Sequence, residues 1–391
     1  MPINQRSMQN QKPLNIHPKR ILVITLRYLG DTLLATPLIS SLKQAYADAE
    51  IDVLLPAANA GMLEGNPDIR KLIPLPSKPS LGQFLKLLFG ICRSYDLAIS
   101  SQAGDRPTLI ARTAGKTAIG FVPDDPGKAW WKNRLLDRSL VFGVDYDHAV
   151  LENLRFCDVL NIEPCYRLKP PQCAAPPAQM PANPYVVLHI MPQWRYKQWH
   201  RDGWLGVMSF LNRSGYQLVL TGSGQPAELE SLRELERQLA FPVTNMAGQL
   251  SLAQLAAVIG QAALFIGPDT GITHLAAATG TETIALYGPT DPKKWAPWPC
   301  RYVGRTSHSL RSAANASVTF ICYRDFRTAT ASPVNWRVAT GTGIATANAW
   351  IGCRRAWSSR LSAKFYGRDN YAPRRQFCIV TGLAIFSRPI R

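Results

Sequence analysis

The stretch Ile21–Asp31 (ILVITLRYLGD) sets the pattern for the whole chain. Its first six residues are all β-branched or aliphatic, which is typical of a strand buried on both faces in a parallel sheet. Arg27–Gly30 form a short loop, and Asp31–Tyr46 carries apolar side chains at helical spacing. A buried strand followed directly by an amphipathic helix is the repeating unit of an α/β fold.

The same alternation recurs along most of the chain and is interrupted once. Seven prolines fall within Pro164–Pro184, a density that neither a helix nor a central strand tolerates. We therefore predict a linker there. The predicted segments are a polar N-terminal extension (1–19), a first α/β domain (20–163), the linker (164–184), a second α/β domain (185–300) and an atypical tail (301–391). The predicted fold is two Rossmann-like parallel-sheet domains that face a cleft.

Composition agrees with a globular protein. Of the 391 residues, 46% are hydrophobic and 18% are charged. No stretch approaches the roughly 18 apolar residues of a membrane-spanning helix, and Met1–Arg20 lacks the apolar centre of a secretory signal. The eight cysteines show no paired spacing, which favours reduced thiols over disulfides or a zinc site. These features predict a cytoplasmic protein without a bound metal.

The net charge of +18 belongs mostly to the tail. Residues 301–391 hold fifteen basic and two acidic residues, a net charge of +13. The remaining +5 gives no reason to expect nucleic-acid binding by the two domains. The tail also lacks Glu and has one Lys, as translation of a GC-rich gene in a wrong frame would produce. Our hypothesis is a frameshift product; a disordered basic arm is the alternative.

One motif combines a strand end with a helix start. Phe265–Ala278 (FIGPDTGITHLAAA) runs from a strand through the turn Asp269-Thr270-Gly271 into a small-residue helix. Backbone N–H groups at a helix N-terminus favour phosphate, the Thr270 hydroxyl can add a donor, and His274 lies one turn along. The alternative interpretation is an ordinary helix cap with a buried histidine.

Two further loops follow predicted strands. Trp194–Trp199 (WRYKQW) offers cations and aromatics after strand Tyr185–Ile190, and Lys197 suits a phosphate. A solvated loop is the alternative. Asp31 stands at the start of the first helix, where it can be a helix cap or a general base, and the two roles are compatible.

Two other patterns are weaker. Gly222–Ala227 fits the dinucleotide fingerprint G-x-G-x-x-A, but no acidic residue ends the next strand region, Val243–Met246. Asp145-Tyr-Asp147 matches the D-x-D of metal-dependent sugar transferases, yet it precedes a helix near the linker and is better explained as a helix cap.

Taken together, these segments resemble the lipopolysaccharide heptosyltransferases, the ADP-heptose glycosyltransferases of GT-B fold. The resemblance rests on Ile21–Asp31, His189–Trp199, Asp269–Ala278 and Tyr287–Asp291 (YGPTD), in order, within residues 20–298. The segment His189–Trp199 looks most similar to the branch that adds the third core heptose.

The resemblance implies roles for individual residues. Asp31 would be the general base, and Lys197 would stabilise the leaving diphosphate. The donor would bind at Asp269, Thr270, Gly271, His274, Trp199 and Gly222. The N-terminal domain would hold the acceptor and the C-terminal domain would hold the donor.

The implied reaction is an inverting, metal-independent transfer of heptose from ADP-heptose to the lipopolysaccharide inner core. A single base opposite the leaving group implies inversion, and no cofactor is needed beyond the ADP-sugar donor. The other partner would be the lipid A-core acceptor at the cytoplasmic face of the inner membrane. Phe84–Ile91 and Lys128–Arg134 could touch that surface. The alternatives are an NAD(P)-binding oxidoreductase and a non-catalytic nucleotide- or nucleic-acid-binding protein.

Overall fold

The computed structural model describes residues 13–300, except 144–147, 174–176, 178–179, 182–183, 289 and 299, together with the backbone of strands at 318–322, 338–340 and 343–345. The chain divides into two compact units, Met1–Lys169 and Pro170–Arg391, and the division falls inside the proline-rich segment. Asp145-Tyr-Asp147 and most of the tail lie outside the described residues.

The first unit contains one six-stranded parallel sheet in the order β3-β2-β1-β4-β5-β6. Its strands are β1 (Arg20–Ile24), β2 (Glu50–Pro56), β3 (Lys71–Leu75), β4 (Tyr95–Ser100), β5 (Gly115–Val122) and β6 (Arg138–Val141). Ile21 to Ile24 have no exposed surface, as predicted for the central strand.

Helices cover this sheet in two groups. They are α1 (Leu29–Leu34), α2 (Thr36–Ala45), α3 (Leu81–Ile91), α4 (Asp105–Ala114), α5 (Pro126–Leu135) and α6 (Ala149–Leu160). Helices α1, α2 and α6 contact one another, and α4 contacts both α3 and α5. For α1 to α5 the grouping follows from the strand order, because right-handed crossovers in opposite directions place their helices on opposite faces.

The first predicted helix, Asp31–Tyr46, is two helices in the structure. Pro37 lies in the first turn of α2 and has no N–H to donate to the carbonyl of Leu33. The hydroxyl of Thr36 donates to that carbonyl instead, at 2.7 Å. Helix α1 also begins two residues earlier than predicted, so Asp31 is its third residue and Tyr28 is the cap.

The second unit repeats the architecture. Its parallel sheet has the order β12-β11-β10-β7-β8-β9. The strands are β7 (Tyr185–His189), β8 (Gln217–Thr221), β9 (Thr244–Asn245), β10 (Leu264–Pro268), β11 (Thr283–Tyr287) and β12 (Val318–Cys322). The helices are α7 (Arg201–Arg213), α8 (Pro226–Glu236), α9 (Leu252–Gln261), α10 (Gly271–Thr279) and α11 (Pro292–Trp295).

Two features lie beyond the predicted domain boundary at residue 300. Strand β12 pairs in parallel with β11 at the edge of the second sheet. A separate antiparallel pair is formed by β13 (Val338–Thr340) and β14 (Gly343–Ala345).

Each sheet reverses its strand order at one point. In the first sheet the reversal lies between β1 and β4, and in the second it lies between β7 and β10. Ligands of open α/β sheets bind beyond the carboxyl ends of the two strands at such a reversal. We therefore expect the functional groups in the loops that follow β1, β4, β7 and β10.

Candidate active site

An ion pair at these loops joins Lys197 to Asp269. The Nζ atom of Lys197 lies 2.7 Å from Oδ2 of Asp269 and 3.2 Å from its backbone oxygen. The side chains are 17% and 6% exposed. A charge pair so little exposed is weakly screened by solvent, so it holds the ammonium group in one place.

Adjacent strands explain why these two residues meet. Lys197 ends a 3-10 helix (Arg195–Lys197) in the loop after β7, and Asp269 follows β10, the neighbouring strand. The turn after β11 closes on the same loop, because a Cβ atom at Gly288 would come within 3.3 Å of the Tyr196 carbonyl oxygen. Loops from three adjacent strands thus converge around Lys197.

Helix α10 begins beside these loops, two residues after Asp269. Thr270 is the N-cap, and its side chain makes no capping hydrogen bond. Its hydroxyl instead lies 3.3 Å from that of Thr273. The N–H of Thr273 donates to the Thr270 carbonyl at 3.1 Å, which leaves the N–H groups of Gly271 and Ile272 able to donate to an anion.

His274 lies on the buried side of this helix, with 4% of its surface exposed. Burial lowers its pKa to about 4; the nearby Asp269 opposes that change, and Lys197 adds to it. Its Nδ1 atom is buried and makes no hydrogen bond within the described residues. At neutral pH the imidazole carries no charge, so it can offer a diphosphate a hydrogen bond but no positive charge.

A second buried histidine makes this unit sensitive to acid. His189 ends β7, and burial lowers its pKa to about 4 as well. An unfolded histidine titrates near pH 6.5, so between pH 6.5 and 4 the unfolded chain binds protons that the folded chain does not. Stability must therefore fall as the pH falls through this window.

We expect a drop from pH 7 to pH 5 to lower the free energy of unfolding by about 2 kcal/mol per histidine. Urea unfolding at the two pH values measures this loss. His274→Gln and His189→Gln should each remove about one histidine's share of it. His17→Gln, at an exposed position, is the control. An unchanged pH dependence in both buried-site variants would contradict the assignment.

Gly222 lies elsewhere on the same sheet edge. It follows β8, two strands from β10 in the order β10-β7-β8, which corresponds to about 10 Å. A Cβ atom there would collide with the carboxylate of Glu228. That carboxylate accepts hydrogen bonds from the backbone N–H and the hydroxyl of Ser223. An acidic group thus occupies the turn where a dinucleotide fingerprint would receive its pyrophosphate.

The side chain of Trp199 packs against a second tryptophan. Its ring packs edge-on against Trp204, with the centroids 5.3 Å apart. Together they line a pocket of about 150 Å³ beside α7 and α8. Lys197, predicted as catalytic, lies together with the predicted donor residues Asp269, Thr270, Gly271 and His274. Gly222 follows a strand farther along the same sheet edge, and Trp199 lines the pocket beside α7 and α8.

Asp31 belongs to the first unit, in the loop-to-helix turn after β1. Its Oδ2 atom accepts a hydrogen bond from the N–H of Tyr28 at 3.3 Å, which is the contact of a helix-capping carboxylate. The residue is half-buried. Like Lys197 in its own unit, it follows a strand at which the strand order reverses.

Comparison with known proteins identifies the family. The model of glycosyltransferase family 9 (heptosyltransferase) matches residues 84–318, more than half of the chain. A curated relative, lipopolysaccharide heptosyltransferase 3 of Escherichia coli K12, is 32% identical over 291 residues, covering 70% of this chain and 83% of the relative.

The chain belongs to glycosyltransferase family 9.

Solved structures of this family share the fold. Heptosyltransferase II of E. coli superposes with a TM-score of 0.60 at 23% identity, covering 73% of this chain and 92% of the other. A family 9 enzyme of Veillonella parvula gives a TM-score of 0.63 at 21% identity, covering 75% and 88%. The two-domain α/β prediction of GT-B type is thereby confirmed, and the protein is a glycosyltransferase.

Sequence reasoning missed two residues of this glycosyltransferase. Asn59 donates from Nδ2 to the Arg27 carbonyl at 3.0 Å and to the Thr32 hydroxyl at 2.9 Å, which fixes the loop bearing Asp31. Gln102 follows β4, the partner of β1 at the reversal, and its buried amide nitrogen makes no hydrogen bond within the described residues. Asn59 lies in a 3-10 helix (Ala57–Leu63) and Gln102 in a loop, and an isolated Asn or Gln carries no sequence signal.

Among the residues that the structure describes, no helix has the length and apolarity needed to cross a bilayer. Within those residues, no three His, Cys, Asp or Glu side chains are grouped so that they could hold a metal ion.

Proposed function

We propose that this glycosyltransferase moves heptose from ADP-heptose to the inner core of lipopolysaccharide. The names of the relatives support the reaction: two of them, at 32% and 29% identity, are called lipopolysaccharide heptosyltransferase 3. The donor class is supported by a heptosyltransferase of the same fold that was solved with ADP-2-deoxy-2-fluoro heptose.

The observation that carries the proposal is the Lys197–Asp269 pair beside the open start of α10. An ammonium group has three N–H donors, and the two bonds to Asp269 leave one for a phosphate oxygen. Asp269 thus holds Lys197 in position before the donor arrives, so little reorganisation is needed during the reaction.

Charge on the leaving group explains why these residues matter. As the bond from the anomeric carbon to the diphosphate breaks, negative charge accumulates on ADP. Lys197 and the N–H groups at Gly271 can neutralise this charge, with a further hydrogen bond from the neutral His274. No metal ion is required in this scheme.

Asp31 is the proposed general base. Its carboxylate would take the proton of the acceptor hydroxyl as the new glycosidic bond forms. Attack from the side opposite the diphosphate inverts the anomeric configuration, as in single-displacement glycoside chemistry. The acceptor is lipid-linked, so the enzyme would work in the cytoplasm, at the surface of the inner membrane.

Thermal unfolding of the full chain tests the donor site. A ligand that binds only the folded state at one hundred times its dissociation constant stabilises it by about 2.7 kcal/mol. We expect ADP and ADP-heptose to raise the melting temperature and NAD to leave it unchanged. Product formation from ADP-heptose and a truncated core acceptor then tests the reaction. Stabilisation by NAD instead of ADP would overturn the proposal.

A further inference from the structure

Exposed apolar side chains are concentrated on one group of helices. Eight large hydrophobic side chains are exposed in the described part of the chain, and five of them lie on three consecutive helices. These five are Leu81, Leu85 and Phe89 on α3, Leu109 on α4 and Trp130 on α5. Such clustering differs from the scattered single apolar residues of an ordinary protein surface.

Helix α3 is apolar on both sides. Phe84, Leu87 and Leu88 pack against the core of the first unit. Leu81, Leu85 and Phe89 recur every fourth residue, so they form a stripe along another side of the helix. Leu81 is 75% and Phe89 is 80% exposed. Burial in the core therefore explains only half of this helix.

The three helices are tied to one another by charged side chains. The Arg106 guanidinium of α4 lies 5.9 Å from the ring centroid of Phe84 on α3. Lys132 of α5, only 3% exposed, pairs with Asp105 of α4 at 2.7 Å. The exposed side chains are thus carried on a connected platform of regular structure rather than on separate loops.

The platform is also basic. Helices α3, α4 and α5 contain six Lys or Arg residues and one acid, Asp105, and three more acids flank α5, namely Asp124, Asp125 and Asp137. Lys86, Arg106 and Arg134 are exposed. Protein surfaces that lie in the headgroup region of a bilayer combine arginine and lysine with leucine and aromatic side chains.

We infer that the α3–α4–α5 platform, defined by Leu81, Leu85, Phe89, Leu109 and Trp130, docks the enzyme on an anionic lipid surface. The apolar side chains enter the acyl boundary, and the basic groups pair with lipid phosphates. The choice of a lipid partner rests on the proposed function, in which the acceptor is lipid-linked, and on the complementary charge. The inference extends the predicted contacts to α4 and to a defined stripe of α3.

The test is flotation of the full chain with vesicles. We compare phosphatidylcholine alone with phosphatidylcholine containing about 30% phosphatidylglycerol. We expect binding to the anionic vesicles and at least about a tenfold loss of it in Phe89→Ser/Trp130→Ser. Tyr196→Ser, as exposed at 61% as Trp130 but in the second unit, is the matched control and should bind as the wild type does.

Two results would overturn the inference. One is equal vesicle binding by the wild type and the double variant. The other is a wild-type dimer, seen by light scattering, that the double variant abolishes without any change in vesicle binding, because the platform would then be a contact between copies of the chain.

Activity separates this inference from the proposed function. The double variant should keep wild-type turnover on a de-acylated, water-soluble core acceptor and lose turnover on vesicle-embedded acceptor. Absence of transfer to either acceptor by the wild type would refute the proposed reaction while leaving the flotation result to decide the docking surface.

Discussion

Lys197→Ala is expected to lower kcat at least about a hundredfold, the scale typical of losing a donor that stabilises developing negative charge. The variant removes the cation that lies 2.7 Å from Asp269 beside the start of α10. It also leaves the nearly buried Asp269 carboxylate without its partner, next to the proposed position of the diphosphate. Donor binding should weaken along with kcat, because that carboxylate then repels the phosphates.

Steady-state kinetics with ADP-heptose measures the kinetic effect, and the melting-temperature shift on adding ADP measures binding. The matched control is Lys116→Ala. Lys116 also pairs with an aspartate, Asp96, at 2.9 Å, but on the exposed amino-terminal end of β5 in the first unit. Removing that pair should leave turnover and ADP binding unchanged. Turnover of Lys197→Ala within a few-fold of the wild type would show that another group neutralises the leaving group.

Asp31→Asn should lower kcat at least about a hundredfold while leaving ADP binding unchanged. Asparagine has the same shape and can still accept the hydrogen bond from the Tyr28 N–H, so the start of α1 is preserved. What the variant loses is the ability to accept the acceptor's proton. The KM for ADP-heptose should not change, because the proposed donor residues belong to the other unit.

The control for this variant is Asp125→Asn. Asp125 caps α5 by accepting from the Gly127 N–H at 2.9 Å, and asparagine caps equally well. Assayed with a water-soluble acceptor, this variant should turn over as the wild type does. A large rise in the KM for ADP-heptose in Asp31→Asn, with kcat preserved, would show that Asp31 binds the donor and is not the general base.

The alternation of buried strands with helices could be predicted from the sequence, because a strand buried on both faces needs an uninterrupted apolar run such as Ile21 to Ile24. Boundaries were less accurate where a local interaction decided them. Pro37 divides the first predicted helix, and the cap is Tyr28 rather than Asp31. Such details depend on individual hydrogen bonds, which periodicity does not encode.

The candidate site was predicted in part for a similar reason. The motif Asp269–His274 is local, so its turn and helix start could be inferred from neighbouring residues alone. The charge state of His274 could not, since it depends on burial by side chains far away in sequence. The packing of Trp199 could not be foreseen either: its ring lies edge-on against Trp204 and lines a pocket beside α7 and α8, and its contact with the donor stays a prediction.

By itself the sequence determined the α/β class and pointed to the proline-rich division, and it predicted which residues could bind a diphosphate, because each depends on short-range pattern and residue chemistry. Only the tertiary structure showed that Lys197 and Asp269, 72 positions apart, form one ion pair. Only it showed, too, that Leu81, Leu85, Phe89, Leu109 and Trp130 remain in solvent on adjoining helices. The order of strands in a sheet and the side of a helix left uncovered are set by packing among distant segments, and that packing is what brings these groups together.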